Sequence, residues 1–160
     1  MLFNVSQLLR GHPGSTKSYD IEAEVDRPGE KAPVAIRGPV SLMRTDEGIL
    51  VSATFHASIP CSCVRCLSAF EQLAELKVEE EYIPVEEVPA GPARDALKAE
   101  SLIINEQHIL DLEPALREYI ILSAPMKALC RPDCAGLCTQ CGTNLNNSRC
   151  SCPVRGLKTA

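Results

Sequence analysis

The chain is 160 residues long, enough for one domain with a real core, and its 45% hydrophobic and 23% charged content is that of a globular protein. With no Trp, three Tyr and three Phe, it lacks the rings that a base-stacking platform for single-stranded RNA requires. Lys127, Arg131, Arg149, Arg155 and Lys158 against Asp133 give the stretch from residue 127 a formal +4, which leaves -9 of the net -5 on residues 1–126. An acidic body with a basic tail predicts that the two parts face different partners.

The first ten residues carry no basic leader and no long apolar run, unlike a secretory or transit segment. No stretch reaches the roughly 18 apolar residues of a bilayer span. The expectation is a cytoplasmic protein without a membrane partner, in a reducing compartment where nine cysteines need an explanation other than disulfides.

In chain order, Ile21, Ala23 and Val25 alternate with acids, and Val34, Ile36, Val40 and Leu42 continue the period of two expected of half-buried strands. Thr45-Asp46-Glu47-Gly48 has the chemistry of a hairpin turn. A long β-rich run from Ile49 to Ile59 is expected to close at Pro60, and Ala74, Leu76, Val78, Glu80 and Tyr82 alternate again. These runs predict an antiparallel meander, since nothing between them reads as a crossover helix. Residues 84–100, rich in Pro, Ala and Glu, predict a mobile acidic loop. Two short strands are expected at Leu102–Ile104 and Ile109–Leu110. Asp111 is a candidate N-cap, and a helix over 112–123 with Pro114 in its first turn stops before Pro125.

From Cys130 the composition becomes Cys, Gly, Asn and Pro with little apolar periodicity, and such a segment cannot fold without a staple. Cys63-Val-Arg-Cys66 and Cys138-Thr-Gln-Cys141 both have the C-x2-C spacing, with which one tight turn offers two sulfurs to a metal. Gly142 can take a positive φ and let backbone N–H groups point at the thiolates. Cys150 and Cys152 lie across a turn containing Asn144, Asn146 and Asn147, while Cys130 and Cys134 follow the helix. Two sets of four can be drawn: Cys63, Cys66, Cys130, Cys134 with Cys138, Cys141, Cys150, Cys152, or Cys63, Cys66, Cys138, Cys141 with the other four. Spacing does not choose between them. Cys61 is left over and reads as a small half-buried strand side chain. A thioredoxin-like Cys63–Cys66 pair would need a βαβ context that the neighbouring chain lacks.

His12, His56 and His108 have no nucleophile at a recognisable spacing, the carboxylates form no marked pair, and there is no Gly-rich phosphate loop. No catalytic residue and no small-molecule substrate are expected. Four thiolates on each Zn²⁺ leave about -2 per site, which offsets much of the basic tail. Contact with nucleic acid would then fall to a few placed side chains, Arg65, Arg131, Arg149 and Arg155.

Taken in order, Cys63-Val-Arg-Cys66-Leu67, Ile109-Leu110-Asp111-Leu112, Arg117-Glu118, Ala124-Pro125-Met126-Lys127 and the run from Leu129-Cys130 through Gly136-Leu137-Cys138, Cys141-Gly142 and Asn144-Leu145-Asn146 to Cys150-x-Cys152 resemble the YceD family of large ribosomal RNA subunit accumulation proteins. The extra Cys61 departs from the usual motif. The resemblance implies a bacterial, non-enzymatic role in 23S ribosomal RNA accumulation and large-subunit biogenesis, with the ribosomal RNA precursor or a large-subunit ribosomal protein as partner. Some relatives lack the distal cysteines yet keep the strand C-x2-C and a Cys/His pair after the helix. That variation favours the first pairing, as two structural zinc sites.

The expected architecture is α+β: a curved antiparallel sheet or partial barrel with one main helix over residues 1–126, and a zinc-stapled, cysteine-rich tail over 127–160 packed on it. Two other readings are a zinc-dependent adaptor or thiol chaperone that never touches RNA, and a redox enzyme using Cys61, Cys63 and Cys66.

Overall fold

A computed structural model describes residues 1–27, 32–88, 91–92 and 102–152. Within them the chain is mostly β-structure: β1 (Leu2–Asn4), β2 (Thr16–Val25), β3 (Val34–Arg44), β4 (Ile49–Ser62), β5 (Ala69–Pro84), β6 (Ile103–Ile104) and β7 (Ile109–Asp111). Two helices lie wholly within the described residues, the single turn α1 (Ser6–Leu9) and the longer α2 (Glu113–Ser123). The chain forms two compact units. One comprises Met1–Ile59 with Gln72–Ala124, and the other Pro60–Glu71 with the described residues from Pro125 onward.

The strand-built unit is organised by an open five-stranded sheet in the order β2-β3-β4-β5-β6. It does not close into a barrel. β2 pairs antiparallel with β3 from Thr16↔Met43 to Val25↔Val34, and β3 with β4 from Ala35↔Ser58 to Arg44↔Ile49. The alternation seen in the sequence sets the faces. Val34, Ile36, Val40 and Leu42 of β3, and Ile49, Val51, Phe55 and Ile59 of β4, are buried. Each large apolar side chain so buried contributes roughly 1.5–3 kcal/mol. The turn from Thr45 to Gly48 closes as expected, with the Thr45 N–H on the Gly48 carbonyl at 3.0 Å and the Gly48 N–H on Thr45 Oγ1 at 2.8 Å. A Cβ at Gly48 would lie 2.1 Å from the Tyr82 carbonyl oxygen, so no other residue fits there.

Four expectations need correction. β4 does not stop at Pro60 but continues to Ser62, because proline's fixed φ is compatible with extended backbone and costs only its own N–H. The meander is antiparallel only as far as β5, for β6 runs parallel to it in the register Ile83↔Ile103 and Pro84↔Ile104. The intervening 18 or so residues give the length that a parallel return requires. The two short strands also separate: β7 pairs with β1 in a two-stranded sheet. Finally, α2 starts one residue later than expected, at Glu113, with Leu112 as N-cap. Asp111 ends β7, yet its Oδ1 still accepts the Glu113 N–H at 3.1 Å. Of the acidic loop expected over 84–100, only residues 84–88, 91 and 92 are described.

α2 buries Ala115, Leu116 and Ile120, and its Tyr119 hydroxyl donates to Glu80 Oε1 on β5 at 2.8 Å. No helix among the described residues is long and apolar enough to cross a membrane.

Candidate metal centres

All nine cysteines are free thiols, and eight of them fall into two groups of four. The Sγ atoms of Cys63, Cys66, Cys130 and Cys134 all lie within 4.8 Å of one another, and so do those of Cys138, Cys141, Cys150 and Cys152. Both groups are in the second unit. The ninth, Cys61, is half-buried on β4 and belongs to neither group.

The first group, called the inner site, is built from the loop between β4 and β5 and from the segment after Pro125. Cys63 and Cys66 sit in a knuckle in which the Leu67 N–H donates to the Cys63 carbonyl and the Cys63 N–H to the Ser68 carbonyl, each at 2.9 Å. The second segment is tied to this knuckle by backbone bonds from Val64 N–H to Ala128 O (2.9 Å) and from Leu137 N–H to Arg65 O (3.2 Å). Cys63 is 0%, Cys66 5% and Cys134 2% exposed, with Phe70, Leu129 and Leu137 packed against them. This small apolar shell exists only because the thiols help to form it.

The outer site repeats the knuckle. The Gly142 N–H donates to the Cys138 carbonyl at 2.9 Å and the Cys138 N–H to the Thr143 carbonyl at 2.8 Å. The residue after the second cysteine is left-handed in both knuckles, Gly142 at φ 72° and Leu67 at φ 57°. Here, however, Cys141 is exposed and the other three sulfur-bearing residues are half-buried.

The sulfur separations suit a tetrahedral ion. Cys63 Sγ and Cys134 Sγ are 3.7 Å apart, and Cys66 Sγ and Cys130 Sγ 3.6 Å. Four sulfurs about 2.3 Å from a central zinc would be about 3.8 Å apart, whereas a disulfide requires about 2.05 Å. The donor set therefore fits a thiophilic dication.

Each group also splits its thiol acidities. Cys63 is held down at about 6, foremost by the Cys130 backbone N–H against the opposing effect of burial. Cys66 is lowered by the Ser68 hydroxyl and N–H. Cys130, by contrast, is pushed up to about 12 by burial and by its hydrogen bonds to the neighbouring thiols. In the outer site Cys138 is lowered by the N–H groups of Cys141 and Gln140, and Cys141 falls to about 6 through the Thr143 hydroxyl and N–H. Cys152 rises to about 12 through its hydrogen bond to Cys141 and through burial. Cys150 is also raised: the Cys152 N–H favours its thiolate, but the bond to Cys138, burial and the nearby charges outweigh that. Without a cation, four thiolates cannot share one small volume, and the proton stays on part of each set.

Of the arginines proposed for partner contact, two are engaged within the unit. Arg65 Nη1 donates to the Cys134 carbonyl at 3.0 Å. Arg131 Nη2 donates to Asn146 Oδ1 at 2.7 Å, and its Nε lies 3.6 Å from Asp133. Arg149 is exposed, and Arg155 lies outside the described residues.

Asn146 is the residue that spacing arguments undervalued. Its Nδ2 donates to Cys134 Sγ at 3.3 Å and to Asn144 Oδ1 at 2.8 Å, while its Oδ1 accepts the Ala135 N–H at 2.8 Å. A residue carried on the loop between the two halves of the outer site thus supports a sulfur of the inner one. Its one trace in the sequence is an Asn-rich span too rich in donors to be only a turn.

Fold and site together define a small β-protein carrying two four-cysteine clusters that can hold metal ions. Residues 51–158 match the family described as Large ribosomal RNA subunit accumulation protein YceD, and the chain belongs to that family. An uncharacterized protein of Mycobacterium tuberculosis is 30% identical over 99 residues, covering 62% of this chain and 46% of that protein. One from Mycobacterium leprae is 27% identical over the same length, 62% of this chain and 44% of that protein. A chloroplastic protein of Zea mays, a YCED homolog 1 named for large ribosomal RNA subunit accumulation, is 40% identical over 50 residues, 31% of this chain and 17% of that protein. The chain thus spans less than half the length of these relatives that it matches. No solved structure matches it.

Proposed function

We propose that this chain is a non-enzymatic, cytoplasmic zinc protein that supports accumulation of large-subunit ribosomal RNA by binding its precursor or a large-subunit ribosomal protein. The role comes from the family, whose name is that of an accumulation factor. The single observation that carries the zinc reading is the pair of four-sulfur clusters, each with all sulfurs within 4.8 Å of one another. Four thiolates leave a bound zinc no open position for water, so both metals are structural. They staple Cys130–Cys152 to the Cys63–Cys66 knuckle and give a cysteine-rich segment a fixed surface, on which the exposed Arg149 can meet a polyanion.

Elemental analysis with native thiol titration is expected to give two zincs and one reactive thiol, Cys61, per chain. Depleting the protein in cells is expected to lower large-subunit relative to small-subunit ribosomal RNA. The wild-type chain should restore the ratio and Cys66→Ser should not. A metal-free chain, or an unchanged ratio, would overturn the corresponding half of the proposal.

A further inference from the structure

We infer that the polar face of the five-stranded sheet is a docking groove for an extended protein segment rich in Lys and Arg. This goes beyond the function proposed above. The groove residues belong to the strand-built unit, and binding there needs no metal.

The groove has a volume of about 760 Å³ and crosses β2, β3, β4 and β5. Strand register lays out its floor: Glu22 is beside Arg37 and Arg37 beside His56, and in the next row Glu24 is beside Ala35 and Ala35 beside Ser58. β5 supplies the remaining wall with Leu73 and Glu75. These side chains alternate with the buried core positions and so stand on the opposite, solvent-facing side of the sheet. A face four strands wide is about 14 Å across, the reach of roughly four residues of extended chain.

Two features indicate what lies there. Leu73 is 77% exposed on the β5 wall, beside Ala74 and Glu75, and offers an apolar anchor to a ligand. The charge is strongly biased: Glu22, Glu24 and Glu75 line the groove, and Asp20 and Glu79 extend the same strand faces. Against them stand Arg37 and Lys77, the latter already paired with Glu75 at 3.2 Å. Such a surface repels a phosphate backbone and concentrates cationic side chains. A polypeptide alternating basic and apolar residues satisfies both the carboxylates and Leu73; RNA satisfies neither.

The test uses the full chain and a fluorescein-labelled ten-residue peptide alternating Lys and Val, read by anisotropy at low and physiological salt. Saturable binding is expected, weakening as salt rises. The triple variant Glu22→Gln/Glu24→Gln/Glu75→Gln should weaken it about tenfold or more, while Asp46→Asn/Glu47→Gln, which removes charge from the β3–β4 turn outside the groove, should change it less than about twofold. Leu73→Ser should weaken binding at both salts, and Cys141→Ser should leave it unchanged, separating groove from metal. If the triple variant melts early, Glu24→Gln and Leu73→Ser alone carry the comparison. Absent binding, equal losses in groove and turn variants, or tighter groove-dependent binding of a single-stranded RNA decamer would each overturn the inference.

Discussion

The inner and outer thiolate sites use one knuckle in two surroundings. In the inner site three of four cysteines are buried, and Phe70, Leu129 and Leu137 pack on them. In the outer site none is buried and Cys141 is open to solvent. The inner site joins residues 64 to 71 apart in sequence, as its Cys66–Cys130 and Cys63–Cys134 contacts show. The outer closes a span of only 15 residues, Cys138 to Cys152. The lesson is that the same four-cysteine arrangement sits in different structural settings: one cluster occupies the centre of a small apolar shell, and the other spans a loop.

The largest effect should come from breaking each site in turn. Cys66→Ser is expected to leave one metal per chain, in the outer site, and to unfold the segments that the inner site joins. Structural zinc supplies on the order of 10 kcal/mol of folding free energy in small domains. Cys141→Ser should also leave one metal, in the inner site, with most amide protection retained around Phe70 and Leu137. Elemental analysis combined with hydrogen exchange reads both quantities. Equal loss of protection in the two variants would erase the distinction between the two settings.

Acidity sharpens the same contrast. At pH 7 Cys150 and Cys152 of the outer site are raised and hold protons, whereas Cys141, at about 6, is mostly thiolate. Metal binding must expel the held protons, so affinity rises with pH and falls as pH drops. The expected slope near neutrality is about a hundredfold per pH unit, for about two protons released, and it steepens below pH 6 as Cys141 also becomes protonated. Competition against a zinc chelator across pH 5 to 8 measures it. A flat profile would mean that all four thiols are already ionised without metal.

Asn146 tests whether the two sites are independent. Asn146→Ala removes the amide on Cys134 Sγ but no ligand. The inner site should lose roughly ten- to a hundredfold in metal affinity, the usual cost of deleting a group that supports a ligand, although the residue lies on the outer site's loop. The two metals are told apart by repeating the titration in the Cys141→Ser background.

How much of this was legible in the sequence depends on the range of the interaction. The strands of the sheet could be read from alternation, because burial of Ile36, Leu42, Val51 and Leu76 on one face writes a period of two into the chain. The Thr45–Gly48 turn was legible for the same local reason. Pro60 misled because a proline forbids an N–H bond and not an extended backbone. The parallel partner of β5 was hidden, since nothing local distinguishes Ile103 pairing with Ile83 from Ile103 pairing elsewhere. The cysteine groups show both cases. Each C-x2-C was visible from spacing, but which pairs share a site is set by contacts some 70 residues apart, and spacing alone allowed two solutions. Arg65 and Arg131 could be read from the sequence as candidate contact residues, but not that their guanidinium groups also donate to Cys134 O and Asn146 Oδ1.

The smallest expected effect isolates the knuckle itself. Both knuckles demand a left-handed residue after the second cysteine, and the outer one meets that demand with Gly142, the inner with Leu67. A leucine at φ 57° carries about 1–2 kcal/mol of backbone strain, and its side chain, 69% exposed, recovers little by packing. Leu67→Gly relieves that strain but frees the unfolded chain, which costs about 0.4–1 kcal/mol. The net expectation is a gain of between about 0 and 1.6 kcal/mol. Gly142→Ala runs the other way: the new Cβ meets nothing within 4 Å, so only backbone strain and unfolded-state entropy act, and stability falls by between about 0 and 1.6 kcal/mol. Urea unfolding of the zinc-loaded chain reads both. If both substitutions destabilise, the Leu67 side chain makes a packing contact within the folded chain that outweighs its backbone strain.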